Sequence, residues 1–365
     1  MIFRTLLLIL VVCLTFSIGV IVTEFKYFPY NYIQQAYHQF VKKESNLPTK
    51  FSIPLETLKA KHQQVSINFQ TIRKNLTSKV ILPESVVSTD IIKNDELNHT
   101  ILSKLYGLTV ESRLHFSEKQ KSKRLLIYIQ GHAGSPDSKA YFHELKQYAL
   151  SNSIDVLAMS MLGKGYNYDN GWFPSTVSPS GKVNLDSTVA NRHDIYSLFK
   201  DTNFPEVDGL ALFLSPHYWQ IKKISENYDE IFIVGLSGGG WYTVWLNSLI
   251  AEIDLAISVA GSVPLVYNIM SDNVGDYEQN YSRIYQTIDY FDLYFLGISA
   301  SNNKKKLELV YNSKDPCCFK LSSSKHLKTV LDEIGAAELS VDIIKNVKHS
   351  IIAEDIINRV KRYIE

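Results

Sequence analysis

Six short segments between residues 125 and 345 are apolar almost from end to end: LLIYIQ (125–130), DVLAMSM (155–161), EIFIVGLS (230–237), DLAISVAG (254–261), KLELVYN (306–312) and LSVDIIK (339–345). A strand that is apolar on both sides must be covered on both sides, and helices supply that cover when the strands run parallel and are joined by crossovers. Stretches with helical periodicity fill most of the intervals, among them KAYFHELKQYALSN (139–152), WYTVWLNSLIAE (241–252) and IIAEDIINRVKRYIE (351–365). Upstream, YGLTVESRLHF (106–116) alternates apolar and polar residues and ends in the charged turn SEKQKSKR, which predicts a strand, a turn and then the first buried strand. The expected architecture is an α/β domain over residues 105–365, with a mostly parallel sheet and helices on both faces. Sheets of this kind bind ligands beyond the carboxyl ends of their strands.

The charge balance narrows the partners. Lys and Arg number 38 against 37 Asp and Glu, a formal net charge of +1, so no bulk field is available to hold nucleic acid. Cys13, Cys317 and Cys318 are too few for a disulfide framework. The α-carbons of adjacent residues lie about 3.8 Å apart, inside the usual disulfide span of about 4.4 Å or more. Cys317 and Cys318 therefore read as small packed thiols, with a redox-sensitive loop as the alternative. Residues 5–23 carry no charge, follow Arg4 and are long enough to cross a bilayer. Residues 1–24 are expected to be a membrane anchor, with a cleaved signal as the alternative because Ser17 and Gly19 offer small residues at a cleavage site. Arg4 is opposed by Lys26, Lys42 and Lys43 across the segment, and the body is expected outside the cytoplasm. Residues 25–104 show short amphipathic stretches without strand alternation and read as a helical extension.

One string carries chemistry. In IFIVGLSGGG (231–240) a buried strand runs into Gly235-Leu236-Ser237-Gly238-Gly239, and a helix follows near Trp241. A GxSxG string in a strand-turn-helix context is a nucleophile elbow, which lifts one hydroxyl above the sheet. The amide of Gly238 and the positive end of the following helix face any anion that forms there. A serine hydroxyl needs a base and a group to orient that base. Asp315 follows the strand 306–312 and is held in loop conformation by Pro316; His349 follows the last strand and precedes the last helix. Of the ten histidines only His326 and His349 come after Asp315, and His326 falls within a predicted helix. The order Ser237, Asp315, His349 is the one this architecture uses. For the oxyanion, the glycine-rich turn GHAGS (131–135) offers the amide of His132 or Ala133 to pair with that of Gly238.

With these motifs in place, residues 105–365 resemble the α/β-hydrolase superfamily, in particular bacterial esterase-like and dienelactone-hydrolase-like members. The likeness rests on GHAGS, GLSGGGW, DPCCF and KHSI. It implies a sheet of about eight strands and hydrolysis of a carboxylic ester or related acyl bond, with peptidase, acyltransferase or a non-catalytic binding protein as alternatives. Gln130 departs from the family, where a histidine often precedes the oxyanion glycine. The connection 262–305 is long and aromatic-rich and is expected to form a lid, with Tyr277, Tyr281, Tyr285 and Phe291 over Ser237 or else packed on one another. The loop 163–181, with Trp172 and Phe173, is a second candidate wall for a carbohydrate or lipid ester. No cluster has metal-ligand spacing and no phosphate-loop lysine is present, so no cofactor is expected.

Overall fold

The computed structural model describes residues 53–105, 108–117, 122–167, 209–270, 277–280, 283–300, 304–317, 319 and 321–365. These belong to one compact unit, Ser52–Glu365. The apolar run 5–23, Trp172, Phe173 and Tyr281 lie outside the described residues. Among the described residues no helix is long and apolar enough to cross a membrane.

Nine strands form one sheet among the described residues: β1 (Ser88–Lys93), β2 (Asn98–Leu105), β3 (Leu108–His115), β4 (Arg124–Gln130), β5 (Ile154–Ser160), β6 (Glu230–Leu236), β7 (Leu255–Val259), β8 (Lys306–Asn312) and β9 (Leu339–Ile344). Their order is β1-β2-β3-β5-β4-β6-β7-β8-β9. The pairings from β5 across to β9 are parallel, while β1, β2 and β3 add on antiparallel, β3 pairing with β5. The register sets Gln130 opposite both Ser160 and Leu236, and Asn312 opposite Ile344. The carboxyl ends of the parallel strands therefore form one edge.

Helices cover both faces, as the apolar strands require. Leu126, Tyr128, Phe232 and Val234 pack on one side with Phe142 and Leu145 of α2 (Ala140–Ser151) and Ile356 and Val360 of the last helix, Ala353–Ile364. Leu125, Ile127, Ile231 and Ile233 face the other side, against α1 (Leu55–Val80), α3 (Gly209–Ser225), α4 (Gly238–Leu249) and the helix Tyr290–Ile298. Alternate residues of one strand thus feed two separate cores.

The helical reading of 25–104 is corrected for its last part, residues 88–104. Residues 88–105 are two strands of the main sheet, and α1 is built into the core. The alternation was hidden because β1 is an edge strand whose residues are nearly all exposed, including Ile91 and Ile92. In α1, Leu58, Val65, Leu76 and Val80 are buried, each worth about 1.5–3 kcal/mol. Buried Arg73 donates to the carbonyls of Ser248 (2.9 Å), Leu296 (2.9 Å) and Ser299 (2.7 Å), a cation at the carboxyl ends of two helices. The expected strand count of about eight becomes nine among the described residues, and the compact body begins well before residue 105.

Candidate active site

Ser237 joins β6 to α4 with φ 58° and ψ −124°, a left-handed backbone that a residue with a Cβ adopts only under strain. The turn is held on both sides: Ser237 N donates to Val259 O (2.9 Å) and Trp241 N to Ser237 O (3.0 Å). Close approach explains the glycines around it. A Cβ on Gly239 would collide with the carbonyl of Ile129, and one on Gly131 would lie 2.8 Å from the amide nitrogen of Gly238. The turn after β4 and the elbow after β6 are thus in backbone contact.

That turn is anchored by Gln130. Tyr128 and Tyr141 donate to Gln130 Oε1 (2.5 and 3.1 Å), which turns Nε2 toward the carbonyl of Ala133 at 3.4 Å. Met161 N donates to the Gln130 carbonyl (2.9 Å), tying in the loop after β5. The glutamine that departs from the family therefore braces the segment carrying His132 and Ala133.

At the ends of β8 and β9 the structure brings Asp315 and His349 together. His349 Nδ1 lies 2.8 and 3.0 Å from the two carboxylate oxygens of Asp315, which is fully enclosed while the ring is partly open. A carboxylate only accepts, so Nδ1 donates, and the neutral ring presents Nε2 as its acceptor. His349 Nε2 is buried and makes no hydrogen bond. Asp315 is fixed further by the amide of Cys317 (2.8 Å) and by Asn312 Nδ2 (3.4 Å). His326, by contrast, packs edge-on against Tyr267 at 4.9 Å.

Sequence reasoning missed Asn312 and Asn346. Asn346 Nδ2 donates to Asn312 Oδ1 (3.0 Å), and both asparagines donate to the carbonyl of Ser350 (3.2 Å each). They join the acid loop to the histidine loop; the only signal was an asparagine at the end of one strand and another just past the next. Cys317 is exposed and disulfide-bonded, which corrects the reading of a small packed thiol there.

In the 262–305 segment, α5 (Leu265–Met270), α6 (Tyr277–Asn280) and α7 (Tyr290–Ile298) are described. Tyr285 does not present its hydroxyl to an open cleft. The oxygen accepts from Trp241 Nε1 (3.0 Å) and Trp245 Nε1 (3.1 Å) on α4 and donates to the carbonyl of Glu278 (3.0 Å). Tyr290 donates to the carbonyl of Gln279 (2.8 Å). Phe291 is fully buried against Tyr267 and Tyr294. Here the aromatics pack on one another and clasp α6 to the elbow helix. Lys61 of α1 binds Asp289 (3.0 Å) and Asp292 (2.9 Å), the capping box of α7, and fixes the segment from its other side. Among the described residues no group of three or more His, Cys, Asp or Glu is placed to hold a metal ion.

No protein-family model and no curated protein matches the chain. Solved structures similar to it include acetyl xylan esterase 1 from Thermoanaerobacterium sp. JW/SL YS485 (TM-score 0.49, 13% identity, covering 86% of this chain and 98% of that one). Est1E from Butyrivibrio proteoclasticus (0.42, 12%, 76% and 97%) and FphF, a fluorophosphonate-binding serine hydrolase of Staphylococcus aureus (0.46, 14%, 76% and 99%), are others. These are esterases and serine hydrolases of the α/β-hydrolase fold, the superfamily that residues 105–365 resemble in sequence motifs.

Proposed function

We propose that the protein is a serine hydrolase that cleaves a carboxylic ester through an acyl-enzyme, with Ser237 as nucleophile, His349 as general base and acid, and Asp315 as the group that orients His349. The observation that carries this reading is a strained serine at the carboxyl end of β6 combined with a histidine–carboxylate pair at the carboxyl ends of β8 and β9, on the same edge of the sheet. Ser237 Oγ attacks the ester carbonyl while His349 Nε2 takes its proton. The carbonyl oxygen becomes an oxyanion, met by the amides of Gly238 and of His132 or Ala133. Collapse expels the alcohol, which receives the proton from His349, and a water molecule repeats the sequence in reverse roles to release the acid. Asp315 holds Nδ1 protonated, so Nε2 is always the nitrogen available to the serine.

The polar and aromatic content of segment 163–181 supports a carbohydrate or lipid ester as substrate, and the run 5–23 supports an anchored body outside the cytoplasm. A panel of nitrophenyl esters of graded acyl length tests the activity: turnover by the wild type that is absent from Ser237→Ala is expected, and equal turnover by both would refute the assignment.

A further inference from the structure

His349 stands in an irregular stretch, residues 345–352, between β9 and the last helix. Apolar burial does little to hold it there. Val347 is 63% exposed, Lys345 and Lys348 are exposed, and the first residue past the histidine to be buried is Ile351. Connecting segments are the mobile parts of a fold, yet a catalytic group has to stay within about 0.5 Å of its productive position. Asp315 fixes one nitrogen of the ring; hydrogen bonds have to fix the backbone beneath it.

The side chain of Asn346 reaches both neighbours of the histidine. Its Oδ1 accepts from the amide of Lys348 (3.1 Å), and its Nδ2 donates to the carbonyl of Ser350 (3.2 Å) and to Asn312 Oδ1 (3.0 Å). The main chain of Asn346 is held in turn: its amide donates to the carbonyl of Ile344 (2.9 Å), and its carbonyl accepts from the amide of Lys314 (3.0 Å). Asn312, only 2% exposed, donates to the same Ser350 carbonyl (3.2 Å) and to Asp315 Oδ2 (3.4 Å). The histidine loop is thus closed on itself by one amide group and tied to the strand whose end carries the carboxylate.

A turn-forming asparagine needs only the bond from its side-chain oxygen to the backbone amide two residues on. Asn346 makes that bond and then spends both hydrogens of its Nδ2 on Asn312 and Ser350, which a turn alone does not require. We infer that Asn346 is a positioning residue for the reaction, with Asn312 as its buttress: it pins the peptide on each side of His349, so that the ring held by Asp315 at Nδ1 keeps Nε2 aimed at the serine. This rests on Ser237, His349 and Asp315 acting as proposed above.

The test is steady-state turnover of a short nitrophenyl ester by the full-length protein, with kcat expressed per active site titrated by a fluorophosphonate. A misplacement of the base by about 1 Å costs up to about a hundredfold, so Asn346→Ala should lower kcat by about tenfold or more with KM within about twofold. In Asp315→Asn the ring has already lost its orienting partner, and the same change should cost about threefold or less. A kcat within tenfold of wild type, a loss confined to KM, or an equal loss in both backgrounds overturns the inference. Should Asn346→Ala not fold, Asn312→Ala removes the second donor to Ser350, and an unchanged kcat there overturns it equally. Wild type without turnover, or Ser237→Ala as active as wild type, would instead overturn the reading of Ser237 as nucleophile.

Discussion

Replacing Ser237 by glycine should stabilise the protein while abolishing turnover, and comparison with alanine isolates the cause. Ser237 sits at φ 58° and ψ −124°, a conformation that costs a residue with a Cβ about 1–3 kcal/mol. Alanine keeps the Cβ and so keeps the strain; glycine releases it. Glycine in turn loses about 0.5–1 kcal/mol more backbone freedom on folding. The difference leaves Ser237→Gly more stable than Ser237→Ala by about 0.5–2 kcal/mol. In a body of this length that is roughly 1–4 °C in Tm. Both variants lack the proposed nucleophile, so differences in activity do not confuse the comparison. Differential scanning calorimetry of the pair, with urea titration as a second measure, reads the effect. An alanine variant as stable as the glycine variant would show that the turn is not strained, and with it the physical reason for a glycine-rich elbow would fail.

Other consequences are open to direct measurement. Arg73→Met should lower stability by about 2–4 kcal/mol in urea titration, because three carbonyls at two helix ends lose a charged donor; an unchanged midpoint would show that α1 is held by its apolar face alone. Asp315→Asn should reduce kcat on a nitrophenyl ester by about 10³–10⁴ with KM little altered, since the carboxylate that orients the His349 ring at 2.8 Å is gone; a loss of less than tenfold would remove Asp315 from its role. His217 is fully buried with its pKa lowered from 6.5 to about 4, so the folded protein holds it neutral while the unfolded chain protonates it near 6.5. Stability is complete above pH 6.5 and should fall as pH drops from 6.5 toward 4, by up to about 3 kcal/mol from this group. His115, also lowered to about 4, acts in the same direction, so His217→Gln should flatten the acid limb in part; an unchanged limb would refute the assignment.

Legibility from the sequence follows physical cause. The six buried strands are readable because burial on both faces demands unbroken apolar runs, and all six are found in the parallel part of the sheet. The pairing of Asp315 with His349 was legible because each follows its strand directly, and parallel strands align their ends. β1 was not legible, since an edge strand with exposed residues carries no periodic signal. Nor was Arg73, whose acceptors lie more than 170 residues away and are backbone carbonyls, which no sequence pattern marks. The contact of His132 with Glu278 depends on the fold of the 262–305 segment, where Tyr285 behaves as a hydrogen-bonding hub instead of a wall of the cleft. Asn312 and Asn346 were invisible for a plainer reason, because asparagine at or just past a strand's end is ordinary.

The central claim is that Ser237 is the reacting group. Incubation with a fluorophosphonate, proteolysis and mass spectrometry locate the adduct to a single residue. The account predicts one phosphonyl adduct, on the peptide containing Ser237, formed more slowly in Asp315→Asn and absent from Ser237→Ala. An adduct on any other residue, or full labelling of Ser237→Ala, would contradict it.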